Sequence, residues 1–469
     1  MGPTIRFASR VATLVALVAT VVVCAPGGRA MGAVGAIPMR AAEVAASVSG
    51  QRDFVLPFAA QHVAVHWPGQ PEARVAVALS SDGRAFGAST EVRLDELAIG
   101  HPSGESFGAV IAARGATKVR VSTDRPLGRL SVLVMADDAA RPAAEPAGGD
   151  AVAGVGPPEV IARADWGADE EYRFTRHRGK RTEVWPAEFH RVQKLVVHHT
   201  ATTTVSDPQD AAAQVRAIYY YHAVTLGWGD IGYNFVVDPF GNVYEGRYSG
   251  SPTGEDGDGR VVTAGHTYQH NTGTLGIAFL GDATEQPPSE PASAALVDFL
   301  AWESSQHGLD PLRSSRYYNV VNEVEREILN VAGHRDYVAT ACPGDAFYPL
   351  LGQLRSDVAA ALGAGAGDEE PPPPVDAPTA AISRRQVTLT WPASAEPWEP
   401  DASQSGIAYY VVQRASGPTG EFGVIGATDE RTRTFVDSRV RGTIRYQVLA
   451  VDGAGNVSAP SPVTTVEVR

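Results

Sequence analysis

A histidine and a cysteine stand eight positions apart in the stretch Val331-Ala-Gly-His334-Arg335-Asp336-Tyr337-Val-Ala-Thr340-Ala-Cys342-Pro343-Gly344. Imidazole nitrogen and thiolate sulfur are the donors that borderline-soft zinc prefers. Two ligands do not make a site, so a third must come from elsewhere. The donor the sequence offers is Lys194-Leu-Val-Val-His198-His199-Thr200, an apolar run that reads as a strand and ends in two histidines. Successive side chains of a strand point to opposite faces, so one of the pair, not both, can join His334 and Cys342. Three protein ligands leave a fourth tetrahedral position for water, which is how a catalytic zinc differs from a structural one.

Cysteine usage points the same way. Arg6 and Arg10 precede the apolar run Val11 to Cys24, and Gly28-Arg29-Ala30 offers small residues for cleavage. This reads as a secretory signal peptide over residues 1–30, with an uncleaved anchor as the alternative. Its removal takes Cys24 and leaves Cys342 alone, so no disulfide can form within the chain. An odd cysteine in an exported protein needs a role, and metal ligation supplies one. No other stretch is apolar for long enough to span a membrane. The expected location is secreted, extracellular or associated with a cell wall.

Four segments occur in order: Leu195-Val-Val-His198-His199-Thr200-Ala201, Gly232-Tyr233-Asn234-Phe235, Gly265-His266-Thr267, and His334-Arg-Asp-x-x-x-Thr340-x-Cys342-Pro343. With the opening Arg163-Ala-Asp165-Trp166-Gly167-Ala168, they resemble the zinc-dependent N-acetylmuramoyl-L-alanine amidases of the peptidoglycan recognition protein family. The resemblance covers residues 158–362. It implies a mixed α/β fold, a bound Zn2+, and peptidoglycan (a muramyl peptide) as the partner. It implies His198, rather than His199, as a metal ligand beside His334 and Cys342. It implies Tyr233 and Thr340 as catalytic residues, and His266, Asn271 and Trp228 along the substrate groove. A non-catalytic peptidoglycan-binding receptor is the alternative within the same family. Binding-only relatives typically lose the cysteine, which this chain keeps.

These residues need a scaffold, and the chain of 469 residues is long enough for about three domains. With 44% hydrophobic and 20% charged residues it is globular in composition. Its net charge of −14 argues against a nucleic-acid partner, since phosphate binding needs a basic surface. In the central segment, Asp207-Pro208 begins a helix that should reach about residue 223. Strands are expected at Ile231–Val237, at residues 243–245 and at Thr274–Leu280, with helices over 292–306 and 347–362. The Gly- and acid-rich residues 249–259 look like an inserted mobile loop, with carboxylate spacing poor for calcium. Arg335 and Asp336 should hold the His334 loop.

Residues 51–137 alternate with period two between turn signals, which suggests an N-terminal β-sandwich-like domain; its His62, His66 and His101 read as core or surface histidines. Residues 138–157 and the Pro-rich 363–378 read as linkers. Residues 379–469, with strands at Val387–Trp391, Tyr409–Arg414 and Ile444–Val451, resemble a fibronectin type III β-sandwich. Read this way, the central segment should fold and work alone.

Overall fold

The computed structural model of the chain describes residues 35–69, 71–137, 157–363, 371–394, 407–429, 432–438, 440–452 and 456–468. The expected signal peptide and nearly all of the 138–157 linker lie outside these residues, as does much of the 363–378 spacer. Among the described residues no helix is long and apolar enough to cross a membrane.

The central segment is built on a six-stranded mixed sheet. Its order is Val331–Gly333, Lys194–His199, Thr274–Phe279, Phe235–Val237, Val243–Glu245, Val160–Ile161. The first four run parallel to one another, and Val243–Glu245 pairs antiparallel to Phe235–Val237. Lys194–His199 is central, paired on both edges and buried at every position. That explains its unbroken apolar reading, since a strand covered on both faces has no polar side to alternate. Lys194 is wholly buried at its start, and its ammonium donates to the Ser315 carbonyl (2.7 Å), the Ile328 carbonyl (3.0 Å) and Asn330 Oδ1 (2.7 Å).

Helices cover both faces. Pro208–Tyr220 begins where Asp207 accepts the Gln209 N–H at 3.0 Å, as the Asp-Pro signal predicts, and runs on as a π turn over Tyr221–Thr225. Glu290–His307 and Leu351–Ala361 lie against the other face. The first of these stops at Gly308, whose φ of 63° is left-handed and suits glycine. The strand expected over 231–237 is shorter than its apolar run, covering only Phe235–Val237.

The N-terminal segment differs from expectation in its layout. Where the pattern suggested two stacked sheets, seven antiparallel strands form one continuous hydrogen-bonded sheet. The reason lies in Gln51–Pro68, an 18-residue strand whose register slips between Val55 and Ala60 and again before His62. Such irregularities bend a strand, so one strand serves both halves of a curled sheet. Val63, Val65, Val119, Val121 and Val132 fill its inside.

The outside of that sheet is not free. Met39, Ala64, Phe107, Val110, Leu133 and Met135 share one apolar core with Trp166, Val215, Ile218, Tyr221 and Tyr233. Buried polar bonds cross the same boundary: Arg216 Nε donates to Asp137 at 2.7 Å, and the Tyr221 hydroxyl donates to the Gly108 carbonyl at 3.0 Å. The central segment, expected to fold and work alone, thus shares a buried face with the N-terminal sheet. A linker-like sequence between two segments does not show whether their faces are apolar. A fragment of residues 158–362 is therefore expected to be less soluble and to melt at a lower temperature than residues 35–362. Differential scanning fluorimetry checks this, and equal midpoints would contradict it.

At the other end, Thr379–Ser383, Gln386–Thr390 and Thr434–Ser438 form one sheet. Gly423–Asp429, Ile407–Ser416, Gly442–Asp452 and Thr464–Val468 form a second. Trp391 and Tyr446 are buried in the core that joins them.

Candidate metal centre

His198 sits at the end of the central strand, and His334 opens a 3-10 turn directly after the adjacent Val331–Gly333 strand. Parallel pairing of these strands therefore delivers both imidazoles to one end of the sheet. Their ring centroids are 4.6 Å apart. Cys342 returns along the loop that follows, with its sulfur 3.5 Å from His198 Nδ1. Ligand atoms of His198, His334 and Cys342 lie within 4.8 Å of one another, and all three residues are buried.

The donor set fits zinc on two counts. His334 Nδ1 is buried with no hydrogen-bond partner among the described residues, which is costly for a polar atom unless something else takes its lone pair. Burial also holds the imidazoles neutral, pulling His334 down to about 3 and His198 well below its ordinary range. Neutral imidazole is the form that ligates. The Cys342 thiol is pushed up by burial, and a bound cation would reverse that shift. The His199 N–H already donates to the sulfur at 3.4 Å.

The surrounding bonds sort the other expected residues. His199 turns to the opposite side of its strand, where Nδ1 accepts the Ala283 N–H at 3.1 Å. Its ligand atom nevertheless lies within 4.8 Å of Cys342 Sγ and the Glu96 carboxylate, a second donor set that shares the sulfur. His199 Nε2, like His334 Nδ1, is buried with no hydrogen-bond partner among the described residues, so that feature is common to both sets. The His198 set differs in offering two imidazoles with the thiol, all three buried. Tyr233 is buried beside His198, with ring centroids 5.7 Å apart. Its hydroxyl donates to the His199 carbonyl over a long 3.4 Å, and burial keeps the phenol protonated.

His266 was expected along the groove. It is wholly buried instead, with Nδ1 2.9 Å from His198 Nε2 and Nε2 3.2 Å from the Thr274 hydroxyl. Gly276 makes the room, because a Cβ there would stand 2.5 Å from the His266 ring. A group behind a ligand histidine fixes its tautomer and orientation. His266→Ala is accordingly expected to weaken metal binding by about 10–100-fold. Competition with a chelator measures this, and unchanged affinity would remove His266 from the centre.

Asn271 Oδ1 accepts the Thr267 N–H at 2.6 Å and holds the turn after His266. Trp228 is half-buried and packs on His222 at 5.0 Å. Asp336 accepts the Gly333 N–H at 2.7 Å and also bonds the Tyr348 hydroxyl, so it holds the His334 turn through backbone and not through the ring. Arg335 pairs with Asp345 at 3.0 Å and donates to the Cys342 carbonyl at 3.2 Å.

One residue of the centre escaped the sequence reading. Glu96, from the N-terminal segment, accepts the Cys342 N–H at 2.7 Å and bonds the Thr340 hydroxyl. Its neighbours anchor it: Asp95 pairs with buried His222 at 3.0 Å, and Leu97 packs so closely on Gly232 that a Cβ there would be 2.8 Å away. Burial pushes the Glu96 carboxyl up to about 7. Nothing in Leu94-Asp-Glu96-Leu marks a site residue, because its partner lies 246 positions along the chain.

Comparison with known proteins follows from this geometry. Residues 188–345 match the N-acetylmuramoyl-L-alanine amidase family. Mouse peptidoglycan recognition protein 1 is 30% identical over 163 residues, covering 34% of this chain and 75% of that protein. Its Bos taurus counterpart is 30% identical over 194 residues, covering 41% of this chain and 83% of its own length. Human N-acetylmuramoyl-L-alanine amidase is 34% identical over 199 residues, but the match spans only 42% of this chain and 28% of that protein. The chain belongs to the family of peptidoglycan recognition proteins and N-acetylmuramoyl-L-alanine amidases. The matched residues 188–345 include His198, His334 and Cys342.

Proposed function

We propose that the chain is a secreted, zinc-dependent N-acetylmuramoyl-L-alanine amidase. It hydrolyses the amide between the lactyl group of N-acetylmuramic acid and L-alanine in peptidoglycan. The observation that carries this reading is the buried His198, His334 and Cys342 cluster with its partnerless nitrogen. These three residues would hold the zinc, which as a Lewis acid polarises a carbonyl and lowers the pKa of water toward 7.

The chain's own groups supply the rest. Water adds to the lactyl carbonyl, the carbon–nitrogen bond breaks, and the alanine amine leaves with a proton that the water gave up. Tyr233, protonated and only weakly engaged with the His199 carbonyl, is the donor free to turn toward the developing oxyanion. Thr340 is less free, because its hydroxyl is committed to Glu96. His266 keeps His198 in register. Trp228 offers a partly open aromatic face for the substrate.

The C-terminal sheets are read as a fibronectin type III-like module that spaces or docks the enzyme on the wall. The receptor alternative rests on the family alone and needs no cysteine. A digest of peptidoglycan separates the two readings. Free N-terminal alanine should rise without new reducing sugar ends; binding with neither product would favour the receptor. Tyr233→Phe should keep its metal and lose about 10²–10³ in kcat, the usual cost of one oxyanion donor. Unchanged turnover would take that hydroxyl out of the reaction.

A further inference from the structure

A second cluster of donor atoms lies away from His198 and shares no residue with it. Glu303 and His307 stand one turn apart on the Glu290–His307 helix, so their side chains share a face. Glu255 reaches them from the inserted loop at residues 249–259. His307 Nε2 is 3.1 Å from Glu303 Oε2 and 2.9 Å from Glu255 Oε1.

His307 Nε2 and Glu303 Oε2 share a hydrogen bond, and it leaves two carboxylate oxygens of the cluster without one. Glu303 is 0% exposed, and its Oε1 has no hydrogen-bond partner among the described residues. Glu255 Oε1, although close to the imidazole, is not aligned for a hydrogen bond with it. A single ring nitrogen carries at most one proton, so two carboxylates face each other across one N–H. Buried carboxylates are tolerated when they are paired or coordinate a metal. Bonds of about 2.1 Å in an octahedron place neighbouring ligands about 3 Å apart, which is the spacing found here.

We propose that Glu255, Glu303 and His307 bind a second divalent cation of the Zn2+ or Mn2+ class, which clips the inserted loop to the helix. One imidazole and two carboxylates are a nitrogen–oxygen donor set that suits these ions. The two carboxylates neutralise a dication, and the partnerless Glu303 oxygen gains a partner. The loop is already shaped for this: Asp256 pairs with Arg260 at 2.6 Å, and Gly254 closes against the Phe235 ring on the strand that faces the same helix.

The test is metal stoichiometry on the full-length chain. Protein stripped with chelator is reloaded with Zn2+ or Mn2+, desalted and measured by mass spectrometry for metal per chain. The wild type should hold two equivalents of zinc, and Cys342→Ser and Glu255→Gln one each. Their combination should hold none. Glu303→Gln should match Glu255→Gln; if that buried change prevents folding, Glu255→Gln on the loop decides alone. Protease cleavage within residues 249–259 should speed up at least tenfold in Glu255→Gln, as it should in chelated wild type. Two equivalents retained in Glu255→Gln, or one in the wild type and none in Cys342→Ser, would overturn the proposal. Loss of amidase activity bears on the other centre only, so the two readings fail separately.

Discussion

Cys342→Ser and His334→Ala are expected to abolish metal binding at the His198 centre and turnover with it. Loss of a group that merely orients a ligand costs about 10–100-fold in metal affinity, so loss of a ligand should exceed that range. The effect is large because the centre has no spare donor on the correct side of the strand. His199 is the nearest; its Nδ1 is tied to the Ala283 N–H, and its partnerless Nε2 belongs to the side of the strand opposite His198. His199→Ala should therefore keep the zinc that His198→Ala loses. Neither Cys342→Ser nor His334→Ala adds bulk, so circular dichroism should show the fold retained. Equal zinc loss in the His198 and His199 variants would mean that the Glu96, His199 and Cys342 set holds the ion instead.

Glu96→Ala is expected to lower kcat by roughly two orders of magnitude with little change in KM. The carboxylate takes the N–H of the very residue that carries the sulfur, and it fixes the Thr340 hydroxyl. Removing it leaves the buried Cys342 N–H with only the longer 3.2 Å bond to the Thr340 hydroxyl oxygen, and frees that hydroxyl from its acceptor. A weakened buried polar contact costs up to about 1–3 kcal/mol, or about 10–100-fold if the reacting state bears it all. Glu96→Gln keeps an oxygen for that N–H and should recover part of the loss. Because Glu96 works through Thr340, the double variant Glu96→Ala/Thr340→Ala should be no worse than the more damaging single one. Additive losses would mean independent roles. A rise in activity on removing Glu96 would mean that the carboxylate obstructs the cleft.

The meeting of His198, His334 and Cys342 was legible because these residues are chemically distinctive and lie on short, strongly patterned elements. A strand ending in two histidines and a His-x7-Cys loop leave few alternatives. Period-two alternation puts the two histidines on opposite faces, and the family resemblance, not the periodicity, implied His198 as the one that turns to His334 and Cys342. Orientation around the centre was less legible. His266 and Asn271 sit in a loop, and sequence alone does not tell a groove wall from a buried support; that needs the position of Gly276. Glu96 was invisible because a surface-like carboxylate becomes a site residue only through the fold of another segment. The N-terminal sheet misled for a related reason. Alternation shows that one face of a strand is buried, not whether the other face also meets a partner.

The contact between Glu96 and Cys342 closes a loop of 246 residues, longer than the family segment itself. Ordering so long a stretch comes before the contact can repay it. The metal ligands can meet once the central sheet forms, but the full set of groups exists only when two segments have docked. Completion of the candidate site is thus expected late in folding, after the two segments have docked. A nascent or clipped copy would carry His198, His334 and Cys342 without the Glu96 contact.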